Sequence, residues 1–432
     1  QRQMCIRDST MIVVGLVIGM GIFRTAATSA REAIAPSVYF SAWIAGGLVA
    51  LCGALTYAEI GSRYPVTGGY YKVFAQAYHP SIAFAINCLI LVSNAASLSG
   101  VALIGSGYLL RLIPGNWTDM HKALLSCAAI ICFYIINLRG LRMSAATQNI
   151  LMTIKILMIV VLIGALFFPA HYAPVTPAIV SDADAGSWIK SLGLSLIAVS
   201  FTYGGYQQTI NFGQDVQQPA RNIPRGIFIG IGIIIALYLL VNLSYFKLIG
   251  FEQMKNEREI AFVVVDKIFG TTGATIFSAC LFLGVLAYVN GLLLSNPRVM
   301  YAMGTDGSLP GIFAGKNNRG VLTFSLTVFA AVCMVVLFFA QQFEKILTFS
   351  IFLDCFGMIL SSATIFWFRR KDADKKTPGI YKMRLFPLIP LVFMGAYLFV
   401  GTSIFLSDPA AALTGLGLLA TFILIYFLFH RK

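Results

Sequence analysis

The chain has 432 residues, 58% of them hydrophobic and only 11% charged, too little charge to cover the surface of a soluble globular protein of this size. Apolar runs of about 20 residues recur along its whole length, the pattern of a polytopic α-helical membrane protein, and the short alternating segments of an outer-membrane barrel are not seen. The formal net charge of +14 does not point to nucleic acid, because Lys and Arg gather in alternate short connections, which is a signal of membrane topology.

Residues 1–9 are polar and unpatterned and run straight into the first apolar stretch; they read as a non-native leader and are set aside. Twelve spans follow, at 10–30, 37–60, 81–111, 122–138, 145–169, 189–211, 226–250, 273–301, 321–341, 345–368, 386–406 and 410–430. The even-numbered connections carry Arg63 and Lys72, Arg139 and Arg142, Arg221 and Arg225, Lys316 and Arg319, and a basic run from Arg369 to Arg384. The odd ones carry acids such as Asp119, Asp182, Asp184, Glu252, Glu257 and Glu259. This asymmetry places both termini in the cytoplasm of a multi-pass protein of the cell (plasma) membrane. The connection 251–272 contains a helix-like piece, Ile260 to Phe269, which is either an external lid or a plain surface helix. The eight cysteines lie mostly within apolar runs without metal-ligand spacing, so they read as small core residues.

Two spans are interrupted by glycine. The first holds Gly15, Gly19 and Gly21 around Ile18 and Met20; the sixth holds Phe201-Thr202-Tyr203-Gly204-Gly205-Tyr206. A helix broken at membrane depth exposes backbone groups that lipid cannot satisfy, so such breaks persist where they line a cavity or hold a ligand. The half-helix that follows this glycine-rich turn presents free N–H groups and a positive dipole end, which suit a carboxylate. Carbonyls of the unwound turn at Ile18, and those from Phe201 to Gly204, accept from an ammonium group. A zwitterion satisfies both ends at once. For either break alone, a helix-packing notch competes, since Gly15 and Gly19 have small-xxx-small spacing.

The breaks also organise the chain. Spans 1–5 (10–169) and spans 6–10 (189–368) each begin with a broken helix. Five being odd, the second set starts from the opposite side of the membrane: an all-α 5+5 inverted repeat, with two further helices in 386–430.

The chain resembles the amino acid–polyamine–organocation permeases, and among them the L-type amino acid transporter branch. The resemblance covers nearly all of residues 10–430. It rests on Gly15-x-x-Ile18-Gly19-x-Gly21-Ile22-Phe23, Tyr57-Ala58-Glu59-Ile60-Gly61 through Tyr64-Pro65 to Gly68-Gly69-Tyr70, Phe201 to Tyr206, Pro219 to Arg225, Val289-Asn290-Gly291 through Arg298, and Asp306 to Pro310. It implies a leucine-transporter-like fold and transport of L-amino acids by alternating access. It places the substrate carboxylate on the amides of Gly19, Met20 and Gly21, and the amino group on carbonyls near Ile18 and Phe201. It makes the Phe201 ring the gate that shuts the pocket toward the outside. Tyr206 stands where relatives more often carry Trp.

Two charges lie mid-span. Lys155 is flanked by Thr153-Ile154 and Ile156-Leu157. A charge there costs about 2.5–3.5 kcal/mol on insertion scales, so it faces the bundle interior. The resemblance makes it a substitute for the coupling cation of sodium-driven relatives, tying helix 5 to broken helix 1; a proton carrier is the alternative. Helix 8 has no Ser or Thr between Leu281 and Leu294 to complete such a site, only Tyr288 and Asn290. Asp354 is the one acid near the middle of a late span, and reads as a pocket residue, a proton site or a structural acceptor. Glu59 ends helix 2 and is expected to organise the Gly68-Gly69 loop. Arg24, next to the first break, reads as a pore or gate residue.

An enzyme is not expected, since His79, His121, His171 and His430 are scattered, and neither metal nor cofactor is implied. A channel or receptor does not require paired breaks. Exchange and proton-coupled uptake both remain open, as do monomer and homodimer. The uncharged walls at Phe201, Tyr203, Gly204 and 94–100 favour a neutral amino acid, with a cationic amino acid or polyamine as the alternative if Asp354 reaches the pocket.

Overall fold

A computed structural model describes residues 14, 17–64, 69–169, 184–211, 218–257, 259–339, 343–371 and 380–429. The leader 1–9 and the motif residues Gly15, Pro65 and Gly68 lie outside the described residues. Among the described residues all regular structure is helical, as expected of backbone that must satisfy its own hydrogen bonds in lipid. The α-helices are α1 (Gly21–Glu32), α2 (Pro36–Arg63), α3 (Gly69–Ala77), α4 (Pro80–Leu110), α5 (Asp119–Leu138), α6 (Leu141–Gly164) and α7 (Ala185–Tyr203). After them come α8 (Pro219–Ile249), α9 (Phe251–Asn256), α10 (Ile260–Thr305), α11 (Thr323–Phe339), α12 (Phe343–Lys371), α13 (Leu388–Ser407) and α14 (Pro409–Phe429). Proline in the first turn, where its missing N–H costs nothing, starts α2, α4 and α8.

Nine helices among the described residues are long and apolar enough to cross a membrane, where twelve spans are expected. The remainder fall short for visible reasons. The first and sixth spans are interrupted, leaving the 12-residue α1 and the 19-residue α7. The ninth extends past the described residues and shows 17 residues as α11. The helical piece expected at Ile260 to Phe269 is present. Gly270, at φ 68°, bends the chain out of helical geometry there and divides α10 into that short piece and a long span.

The pairing of helices is regular. α1 lies on α7, α2 on α8, α4 on α10 and α5 on α11; α4 also packs on α12, and α10 on α6. α13 and α14 attach at the periphery, against α2 and α12 and against α4 and α12. Exposed Leu398, Leu406, Leu413 and Leu424 on these last helices suit a hydrocarbon surround.

One end of the bundle is cross-braced by charge. Glu59 is fully buried and accepts from Arg63 (2.8 Å), from Arg369 (2.7 Å) and from the Met383 backbone N–H (2.8 Å). Besides Arg63 on α2 itself, its described partners lie at the end of α12 and in the segment leading to α13; Gly68, in the loop it was expected to organise, lies outside the described residues. Nearby, Lys72 on α3 pairs with Asp306 beyond α10, and the Tyr71 and Ser308 hydroxyls are hydrogen-bonded at 2.6 Å.

Candidate functional site

The first span leaves helical geometry where its glycines predict. The Ile18 N–H still reaches the Val14 carbonyl (2.8 Å), but the Gly19 N–H turns to Val17 (2.6 Å), and α1 begins only at Gly21, without a side-chain cap. The released carbonyls find donors elsewhere in the protein. Val17 accepts from the Tyr238 hydroxyl (3.0 Å) and Ile18 from the Lys155 ammonium (2.7 Å). The N–H groups of an uncapped first turn keep no intrahelical partner.

The second break matches it. α7 stops at Tyr203, Gly204 is extended, and Gly205 takes φ 113°, a left-handed conformation that favours glycine. The Gln207 side chain accepts from the Gly205 N–H (2.9 Å), and a 3-10 turn, Tyr206–Asn211, follows. The two breaks are locked side by side. Thr25 and Thr202 share a hydroxyl hydrogen bond, and a Cβ added at Gly21 would lie 2.9 Å from the Thr202 Cα. Gly21 is therefore a packing position as well as a helix start. A branched residue there is not expected to leave the fold intact, whereas a Cβ at Gly19 would lie 3.4 Å from the Tyr288 ring and 3.8 Å from the Val17 carbonyl oxygen.

Both breaks open on one central cavity enclosing about 760 Å³ of empty space. Gly19, Met20 and Gly21 line it from the first break and Phe201, Gly204 and Gly205 from the second; Ser97, Tyr288 and Asp354 face them from α4, α10 and α12.

The structure sorts the residues singled out from sequence. Gly19, Met20, Gly21, Phe201, Gly204 and Asp354 meet at this cavity. Ile18 contributes its backbone carbonyl to Lys155 rather than a side chain to the wall. Tyr203 turns away: it lines a separate cavity of about 350 Å³ with Gly46 and Tyr206, and stacks among Trp43 and Tyr238. Lys155 is fully buried behind the break. Beside its stem, where a Ser or Thr of helix 8 is absent, stands Gly284, whose added Cβ would lie 3.5 Å from the Lys155 Cγ. Asn290 instead accepts from Asn137 (2.9 Å) on α5. Arg24 does not line the cavity.

The polar wall extends beyond the 94–100 stretch expected from sequence, to Ser93, Gln208, Asn296 and Ser350. Ser93 donates to Asp354 (2.6 Å), and the Ser350 hydroxyl links to those of Ser93 (3.0 Å) and Ser97 (2.7 Å). Gln208 donates to Asn94 (3.2 Å) and Asn94 to Asn296 (2.7 Å). Consecutive glutamines at 207 and 208, directly after a break, were the available signal. Among the described residues no cluster of three or more His, Cys, Asp or Glu could hold a metal ion.

Comparison with known families matches residues 7–429 to the family described as "Amino acid permease". The serine/threonine exchanger SteT of Bacillus subtilis is 23% identical over 406 residues, covering 92% of this chain and 90% of that protein. The large neutral amino acids transporter small subunit 2 of Oryctolagus cuniculus is 24% identical over 425 residues, covering 96% and 78%. The methylthioribose transporter of Bacillus subtilis is 27% identical over 325 residues, covering 71% and 68%. These relatives are transporters, and the match takes in both broken helices, the cavity between them and nearly all the helices around it. This chain, a multi-pass membrane protein, belongs to the amino acid permease family.

Proposed function

We propose that the protein moves L-amino acids across the plasma membrane by alternating access, as an exchanger or a proton-coupled uptake system. The observation that carries this is the meeting of two broken helices at one cavity, one offering an uncapped helix start at Gly21 and the other unwound backbone at Phe201 to Gly205. An α-carboxylate and an α-ammonium sit on one carbon, so a site with donors on one side and carbonyls on the other selects that head group. The carboxylate takes the amides of Gly19, Met20 and Gly21; the ammonium takes carbonyls at Ile18 and Phe201. The Ile18 oxygen has a second lone pair beyond the one used by Lys155. Phe201 closes over the substrate. Tyr203 acts from behind, holding the end of α7 against Trp43 and Tyr238.

The twelve-span, leucine-transporter-like 5+5 architecture supports this reading through the helix pairing. Exchanging each helix of 10–169 for its counterpart in 189–368 maps α1–α7, α2–α8, α4–α10 and α5–α11 onto themselves, and maps α4–α12 onto α10–α6. With five helices per half the second copy is inverted, both termini are cytoplasmic, and the helices of 386–430 are additions. In this arrangement Lys155 fills the place of a coupling cation.

The test is uptake by purified protein in liposomes, with labelled amino acids and a methylthioribose control suggested by one relative's cargo. Saturable uptake blocked by L-amino acids, with affinity weakened about tenfold in Gly19→Val, is expected. Uptake by that variant equal to wild type would remove the carboxylate site from the first break. Release of preloaded substrate only when external amino acid is present would identify an exchanger.

A further inference from the structure

Asp354 faces two cavities. Besides the central one it lines a second, enclosing about 430 Å³, with Asn87, Asn296 and Tyr70. Asn94, Gln207, Gln208 and Met358 line both, so the second space opens from the first around these side chains. Asp354 is the one formally charged residue among the described residues lining either cavity.

The hydrogen bonds of this side chamber leave an excess of acceptors. Asn94, Gln208 and Asn296 are engaged with one another, with Ser295 and with the Leu292 carbonyl. Asn87 is fully buried; its NH₂ group donates to the Ala83 carbonyl (2.7 Å), and its Oδ1 has no partner. Asp354 Oδ1 accepts from Ser93 (2.6 Å), and among the described residues no Lys or Arg forms an ion pair with Asp354. Lys155, the other charge near the middle of a span, donates to the Ile18 carbonyl. A carboxylate and an amide oxygen held at membrane depth without a cation are costly until a donor arrives. A group with several N–H donors and a positive charge satisfies both.

We propose that the chamber between Asn87 and Asp354 is the side-chain subsite of this transporter, and that it takes amino acids ending in an ammonium or guanidinium group. The uncharged walls favour a neutral amino acid, with a cationic one as the alternative if Asp354 reaches the pocket; Asp354 lines it. The proposal rests on the reading that the breaks hold the amino acid head group.

Lysine and norleucine, which differ at the end of the side chain, give the test. In liposomes containing the full chain, lysine, ornithine and arginine are expected to compete for uptake at concentrations about tenfold or more below norleucine. Asp354→Asn is expected to reduce that lysine-to-norleucine preference about tenfold, and Asn87→Leu about threefold, each checked for folding by size-exclusion in detergent. Norleucine competing as well as lysine against the wild type overturns the proposal, and this arm needs no variant to fold. If neutral amino acids compete and basic ones do not, the chamber assignment fails while the head-group site stands. If no α-amino acid competes, both fail. A lack of lysine preference together with a proton-gradient response that Asp354→Asn abolishes would make Asp354 a proton carrier, and would overturn the subsite.

Discussion

Lys155 and Asp354 are the two solitary charges near the middle of spans, and the structure treats them differently. Lys155 is sealed from the cavity, with its ammonium 2.7 Å from the Ile18 carbonyl that the first break sets free. Asp354 lines the cavity, supported by serine hydroxyls, and no charged side chain among the described residues neutralises it. A charge at membrane depth that is satisfied within the protein holds structure together; one with bonding capacity left over is available to cargo or to a proton. Burial alone does not separate these cases. The hydrogen-bond inventory does.

The contrast is broken most directly at the lysine. Lys155→Ala leaves the buried Ile18 carbonyl without its donor, a loss of about 1–3 kcal/mol, and should lower transport about tenfold or more by disturbing the break. Sidedness-resolved kinetics in liposomes should show apparent affinity falling more on one face than on the other, with no dependence on a proton gradient before or after. A variant matching wild type on both faces would show that the tether is idle.

Gly19→Val should come next, with binding weakened about tenfold as its side chain crowds the amides offered to a carboxylate. Gly21→Ala is the control for packing. Its Cβ meets Thr202, so it should lower the melting temperature with or without substrate, whereas Gly19→Ala should melt close to wild type. Phe201→Ala should slow turnover several-fold while shifting affinity less, because the occluded state loses its cover; a large affinity loss at unchanged turnover would make the ring an ordinary contact. The smallest effect is expected from Gly284→Ser. The added Cβ meets Lys155 and Met20 at ordinary van der Waals distances, 3.5 and 3.7 Å, and a fixed tether should ignore the new hydroxyl. Uptake that changed more than about threefold would show that Lys155 has slack to seek a second partner.

Much of this was legible in the sequence, because it depends on local chemistry. Glycines interrupting an apolar run locate both breaks to within a few residues, and a lone lysine between Thr153 and Leu157 announces a buried partner. The helical piece from Ile260 ends at Gly270, where a backbone free to take positive φ allows the bend. What sequence could not supply was rotation. The spans around the cavity are apolar on most faces, so periodicity does not tell that Asp354 lines the cavity, or that Tyr203, the last helical residue before the break, packs against Trp43. Nor could it pair Asn94 with Asn296 or Glu59 with Arg369, since those contacts join helices hundreds of residues apart.

The Glu59 cluster has a mechanical consequence. Its carboxylate sits on α2, Arg369 sits on α12, and the Met383 N–H that fills the same carboxylate precedes α13. Helices far apart in the chain thus meet in a joint whose bonds are charge-assisted and centred on a fully buried carboxylate. Under the proposed alternating access, a rocking motion must either break this joint or turn about it, and turning, which keeps its bonds, would place the larger arc at the opposite end of the bundle.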